Sequence, residues 1–277
     1  MNRWVRDVGG AVLVATVVAL LAVPLLPVLL WAAADRWSFP AVLPQVWGFG
    51  GWSDALAAGL PAALARSTAL GLAVAAVATP PGVLIGMVLG WRLGHRPRLL
   101  VTVLLVPLIL PPFAVAMGLD VILIRAGLPG TVAVVLVLAA FALPYTSYTS
   151  ATGFARISPQ LDEQARALGA TPRQAHTRVV LPAIRGSILV AALLAFLVGW
   201  SDYVVTVLIG GGQLITAPVL LGAAAAGSGN EPITAALALA ALVPPVLLVT
   251  AAAAARRVGR PRRTTPDLDP APERTRR

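Results

Sequence analysis

The chain has 277 residues and a formal net charge of +10, yet 58% of it is hydrophobic, only 12% is charged, and its mean hydropathy is +0.86. That usage excludes a soluble globular domain. There is no cysteine and no lysine, so disulfides, thiolate metal sites and the lysine of a phosphate-binding loop are excluded as well.

A bilayer core of about 30 Å is crossed by roughly 20 apolar residues in a helix. In chain order six stretches qualify, at about 8–33, 67–91, 99–124, 131–153, 187–209 and 233–255, each ending at arginine, proline, glycine or a polar cluster. The first follows Arg3 and Arg6 and precedes Ala32-Ala33-Ala34, which invites a signal-peptide reading. Its apolar run exceeds the roughly 7–15 residues of a signal core, and removing it would leave five spans, so it is read as a span. Residues 34–62 form the longest external segment, where Trp37, Trp47 and Trp52 suit a membrane-interface belt. Asp120 falls in the third span and Asp202 in the fifth. A carboxylate at the centre of a span costs about 2.5–3.5 kcal/mol on insertion, so such residues face a cavity or a partner, or bond between helices. Asp202 sits in the polar, aromatic run Trp200-Ser201-Asp202-Tyr203, and Asp202, Tyr203 and Asp120 are the candidates for a translocation path. Proline pairs at Pro80-Pro81, Pro111-Pro112 and Pro244-Pro245, with Pro24, Pro27 and Pro107, are expected to divide and kink the spans. The tail 256–277 has no apolar period, reads as disordered, and carries Arg256, Arg257, Arg260, Arg262 and Arg263 to rest on anionic lipid.

The arginines orient the chain. With the N-terminus cytoplasmic, the inner segments hold two before the first span, three in 92–98, five in 154–186 and eight in the tail, 18 in all. Only Arg36, Arg66 and Arg125 are then outside. That bias puts both termini and the 155–186 loop in the cytoplasm and marks the positive charge as a topology signal, with no nucleic acid implied. The two histidines, His95 and His176, lie on separate loops, so no metal site or catalytic triad is in view. Gly210-Gly211-Gly212 lacks a following Lys-Ser/Thr and is no phosphate loop.

The polar segment 155–186 carries the densest local signals. Ser158-Pro159 reads as an N-cap with proline in the first turn, followed by Asp162 and Glu163 where the helix dipole favours negative charge. Leu161, Ala165 and Leu168 form a narrow apolar stripe, and Gly169 is placed to end the helix in a left-handed conformation. Thr171-Pro172-Arg173-Gln174 starts a second helix with a capping box, and Leu181-Pro182 marks its end. Two short helices joined at a glycine predict a compact knob that suits docking into a partner's cleft.

Within that knob, Glu163-Gln164-Ala165, three residues, Gly169, nine residues, then Val179-Val180-Leu181-Pro182 resembles the EAA loop of importer-type ABC transporter permeases. Gln164 replaces an alanine of the pattern and Val179 an isoleucine. The resemblance extends over roughly 60–255. Phe141-Ala142-Leu143-Pro144-Tyr145, Ile157-Ser158-Pro159 and Leu168-Gly169-Ala170-Thr171-Pro172 are similar to permeases of the polyamine, ferric-ion, thiamine and sulfate importers. Ser201-Asp202-Tyr203-Val204-Val205-Thr206 is similar to a stretch of the polyamine type with one acidic position missing. Sugar-importer permeases, the alternative branch, more often carry an acidic residue where this chain has Leu168.

The resemblance implies an all-α, six-span MetI-like permease domain over 1–255 in a bacterial plasma membrane, with the coupling loop at 155–182. It implies a second permease chain, cytoplasmic ATPase subunits holding ATP and magnesium, an extracytoplasmic binding protein, and no catalysis or cofactor on this chain. Glu163, Gln164, Ala165, Leu168, Gly169, Val179, Leu181 and Pro182 would couple to the ATPase. An ion-coupled secondary transporter is the rival class. It predicts inverted repeats and coupling carboxylates, of which the sequence offers only two isolated aspartates.

Overall fold

A computed structural model of the chain describes residues 3–38, 40–91 and 97–258, with backbone alone for 3–11, 21, 97–98 and 255–258. The tail beyond 258, with Arg260, Arg262 and Arg263, and the loop residues Arg92, His95 and Arg96 lie outside the described residues. In chain order come α1 (Arg3–Ala22), α2 (Leu25–Ala32), β1 (Ala34–Arg36), β2 (Val46–Trp47), α3 (Gly50–Ala57) and α4 (Leu60–Trp91). Then follow α5 (Pro97–Ile109), α6 (Pro112–Arg125), α7 (Gly130–Phe154), α8 (Gln160–Ala167), α9 (Pro172–Ala175), a π-helical turn (His176–Val180) and α10 (Leu181–Ala183). The chain continues through α11 (Arg185–Ser201), α12 (Val204–Ile209), α13 (Ala217–Ala225) and α14 (Glu231–Val258).

Three helices, α4, α7 and the Glu231–Ala254 part of α14, are each long and apolar enough to cross a membrane, and the number rises to six if three bent pairs count as one span each. The expected span 99–124 is such a pair: α5 and α6 meet at 95°. Pro111 lies between them in an extended conformation, φ −59° and ψ 127°, and offers no N–H to continue the ladder. The expected fifth span, 187–209, stops at Ser201 and resumes as the separate α12. Proline does not always break: Pro80-Pro81, Pro144 and Pro244-Pro245 stay inside single helices. Beside Pro80-Pro81 the Thr146 hydroxyl of α7 donates to the Ala78 carbonyl of α4 at 3.3 Å and ties the two helices together. The small antiparallel pair β1–β2, with Ala34 opposite Trp47, is the one departure from all-α among the described elements.

Close helix contacts hold α4, α7 and α11 together through small residues. A Cβ on Gly86 would lie 2.5 Å from the Ser150 side chain and 2.8 Å from the Ser147 carbonyl, and one on Gly90 would lie 2.6 Å from the Phe154 Cβ. Gly82, one turn earlier, faces Thr146. Across the α4–α11 seam a Cβ on Gly199 would come within 3.0 Å of the Gly71 Cα. Glycines four residues apart bring two backbones together, which is how membrane helices associate when apolar burial gives little net drive. Leu70, Val74, Leu138 and Val205 fill the core between these helices.

Candidate functional site

The segment joining α7 to α11 forms the knob expected from its capping residues. The Ser158 hydroxyl accepts from the Gln160 N–H at 3.2 Å and opens α8. The helix closes with paired bonds from Gly169 N–H to the Arg166 carbonyl, 2.9 Å, and from Ala170 N–H to the Ala165 carbonyl, 3.1 Å, and Gly169 takes φ +91°. This Schellman closure needs a left-handed residue at that point. Thr171 and Gln174 then form the reciprocal capping box: the Gln174 side chain accepts from Thr171 N–H at 2.9 Å, and Thr171 Oγ1 accepts from Gln174 N–H at 3.3 Å. Before Pro182 the chain loosens into the π-helical turn, which makes room for a ring that would crowd the carbonyl four residues back. At Ile184 it bends by 75° into α11.

Glu163, Gln164, Leu168 and Gly169 are thereby collected on one exposed surface, with Leu168 89% exposed at its tip and Ala165 half-buried. Asp162 is held by Arg166 across one turn at 2.7 Å, which leaves Glu163 as the outward carboxylate of the helix. Val179 and Leu181 are half-buried and Pro182 exposed, and they lie at the root of the knob, where Val180 and Ile184 pack with Val83 and Phe154. The indole N–H of Trp91 reaches the Phe154 and Ile157 carbonyls at 3.0 and 3.2 Å, tying the end of α4 to the end of α7. The coupling candidates therefore divide into an exposed face and an anchored root.

The pathway candidates are not brought together in this way. Asp202 sits in the break between α11 and α12 and caps α12: its carboxylate accepts from Thr206 N–H and Thr206 Oγ1, each at 2.8 Å, and from Val205 N–H at 3.4 Å. Its charge is thus turned to the first turn of a helix, where it is favoured. Tyr203 is partly exposed, and its ring lies against α13, within 2.6 Å of where a Cβ on Gly222 would stand. Asp120, on α6, is half-buried with no hydrogen-bond or ion-pair partner among the described residues.

One group was not singled out from the sequence. Residues 145–150 are six consecutive hydroxyl-bearing residues in the apolar helix α7, followed by Thr152. Thr146, Ser147 and Ser150 turn into the α4 seam and are buried, while Tyr145, Tyr148, Thr149 and Thr152 share the opposite face, with Tyr145 42% and Tyr148 38% exposed. Tyr145 stands nine residues before the helix end, about 14 Å along the axis, deeper than an interface belt. The hydroxyl run itself was the available signal.

Comparison with known proteins places this geometry. The family model described as "Binding-protein-dependent transport system inner membrane component" matches residues 82–262, more than half of the chain and all of the segment from α8 to α10. The chain is also similar to a protein named trehalose transport system permease protein SugB, from Mycobacterium tuberculosis, at 38% identity over 80 residues. That stretch is 28% of this chain and 29% of the relative, so less than a third of either is compared. The relative belongs to a sugar system and not to the polyamine, ferric-ion, thiamine or sulfate types that the loop motifs resemble.

Proposed function

The chain belongs to the binding-protein-dependent transport system inner membrane components, and from that premise we propose that it is a permease subunit of an ATP-driven sugar importer. It is a membrane transport subunit and no enzyme. The work of ATP falls to a partner ATPase that receives the α8 knob, and alternating access follows when that partner moves the knob and, through its root, the inner ends of α4, α7 and α11. The observation that carries the coupling half of the reading is the Schellman-closed knob with Glu163 and Leu168 exposed on it. A second permease chain completes the path, and an extracytoplasmic protein delivers the solute. Both termini and the knob lie in the cytoplasm of a bacterial inner membrane, as the arginine bias supports.

The sugar reading rests on the trehalose-system relative together with the Tyr145–Tyr148–Thr149–Thr152 face. Hydroxyls at that depth are costly against lipid, and tyrosine rings flanked by threonine hydroxyls suit a polyhydroxylated solute, which stacks on a ring and exchanges hydrogen bonds. The polyamine-type reading has the Ser201–Thr206 motif in its favour. The capped Asp202 carboxylate, however, spends its acceptors on α12 and is not turned to a cation. Uptake by cells carrying the whole transporter, measured with labelled disaccharides, spermidine, thiamine, sulfate and ferric ion, decides between them. Disaccharide uptake that falls at least tenfold in Tyr145→Ala, with the protein still in the membrane, supports the reading, and uptake of another solute alone overturns it.

A further inference from the structure

The loop that joins β1 to β2 is apolar and closes on itself. Between Ser38 and Gln45 run Phe39-Pro40-Ala41-Val42-Leu43-Pro44, without one polar side chain. Turns in water are ordinarily built from glycine, proline and short polar residues. Here Val42 is 86% exposed and Leu43 60%, and Trp47 on β2 and Phe49 just beyond it are exposed as well. The polar groups of the backbone, by contrast, are used inside the loop. The Gln45 side chain accepts from Ser38 N–H at 2.9 Å and donates to the Ser38 carbonyl at 3.0 Å. Ala41 N–H donates to that same carbonyl at 3.1 Å, and the Trp37 indole N–H donates to the Ala41 carbonyl at 2.9 Å. Pro40 and Pro44 have no N–H to satisfy. Water would satisfy such groups unaided, whereas a medium without hydrogen bonds requires this internal pairing.

The loop also continues a surface that already faces lipid. β1 starts two residues after α2 ends, and the Trp37 ring lies 4.9 Å from that of Trp31 in the last turn of α2. Leu25, Leu26 and Leu29 of α2 are exposed apolar residues of the first span. Beyond β2, α3 leads into α4 at Leu60, the end of that helix opposite Trp91 and the knob. We propose that this loop inserts into the membrane leaflet opposite the knob, with Val42 and Leu43 below the lipid headgroups and Trp47 and Phe49 beside them at headgroup level. Of the three tryptophans expected in an interface belt, Trp37 and Trp52 turn their N–H groups to the protein, to the Ala41 and Ala32 carbonyls. Trp47, 56% exposed, is the one left to the interface. Because the backbone of α3 at Gly51 lies against Pro232, the inserted loop holds the adjoining ends of α2 and α14 to the bilayer surface.

The test places p-benzoylphenylalanine at Leu43, Trp47 or Ser53 in the intact transporter, in membranes that also hold its extracytoplasmic binding protein. Irradiation captures whatever lies within reach, and mass spectrometry of the permease chain identifies it. Lipid adducts at Leu43 and Trp47 should exceed those at Ser53, on the exposed side of α3, at least fivefold. The proposal is overturned if Leu43 gives no more lipid adduct than Ser53, as a loop in water would. It is equally overturned if the main product at Leu43 is a crosslink to another protein chain, which would make the loop a docking surface for that protein. A smaller probe gives a second measurement, because the chain has no native cysteine. In nanodiscs holding the transporter without the binding protein, Val42→Cys should react with a charged, water-soluble maleimide at least tenfold more slowly than Ser53→Cys, read on the permease band. Equal rates would place Val42 in water and end the proposal.

Discussion

The two ends of α11 are built from the same devices in opposite surroundings. At its start, a polar segment turns twice within 26 residues through a Schellman closure at Gly169, a capping box at Thr171 and a π-helical turn before Pro182. At its end, an apolar run turns through a capping aspartate at 202, the short α12, and glycines 211 and 212 at φ +59° and +73° before α13 begins. The difference lies in how the caps look from sequence. In a polar segment Thr-x-x-Gln reads as a cap, since a cap is all that such a pattern offers. In an apolar segment an aspartate reads as a charge stranded in lipid, and its capping role goes unseen. Four residues after Asp202 stands Thr206, whose N–H and hydroxyl both bond that carboxylate. A search for caps inside spans, and not only between them, would have found the break.

The sharpest way to break the scaffold that carries both ends is to widen the α4–α7 seam. Gly86→Val would set a branched side chain against the Ser147 carbonyl, a backbone atom that cannot rotate away. Overpacking of this kind costs about 1–3 kcal/mol even where side chains can move. Monodisperse yield from the membrane should collapse. Normal yield and uptake for Gly86→Val would mean that the seam is looser than the structure has it.

At the legible end, Gly169→Val should abolish uptake while leaving the chain inserted. The position has nothing within 4 Å of a built Cβ, so sterics with neighbours play no part and the penalty is the left-handed backbone alone. That conformation costs a non-glycine residue about 1–2 kcal/mol, and asparagine tolerates it best. Gly169→Asn should therefore keep most of the uptake that Gly169→Val loses, with ATPase co-purification following the same order. Equal loss in both variants would mean that the glycine matters for close approach of the partner and not for its φ.

At the disguised end, Asp202 separates a cap from a charge. Replacing a capping aspartate by alanine costs about 0.5–2 kcal/mol, while asparagine caps as well. Asp202→Asn should transport within twofold of the wild type, and Asp202→Ala should lose uptake several-fold with a lowered melting temperature. A carboxylate that faces the translocation path would instead show a several-fold loss of uptake in Asp202→Asn. If Asp202→Asn is as poor as Asp202→Ala, the charge serves transport and the cap is incidental.

Much of what positions the knob was legible because its determinants are local: Ser158, Gly169, Thr171 and Gln174 act within a few residues of themselves. The bend at Pro111 was legible as a proline break but not as an angle. The stop at Ser201 was not legible from apolar length, which counts residues and does not see a break. The hydroxyl face of α7 was written plainly in residues 145–150, but its division into a buried and an exposed side depends on which side α4 takes.

The smallest expected effect tests how far the knob's root is a rigid lever. Trp91 joins α4 to the start of the knob segment by its N–H, which reaches two carbonyls, and by an edge-on contact of its ring with Phe154 at 5.0 Å. Trp91→Phe keeps most of the ring contact and removes the donor, so it isolates the hydrogen bonding. One such bond is worth about 0.5–1.5 kcal/mol net, and carbonyls at a helix end can turn to water instead. The melting temperature should fall by only a few degrees. If the tie transmits motion, ATP hydrolysis should persist while uptake per ATP drops about twofold, because the knob moves without carrying α4 fully with it. A variant that loses stability and keeps its uptake per ATP would assign the tie to folding alone, and the lever would then run through the packing of Val180 and Ile184 on Phe154.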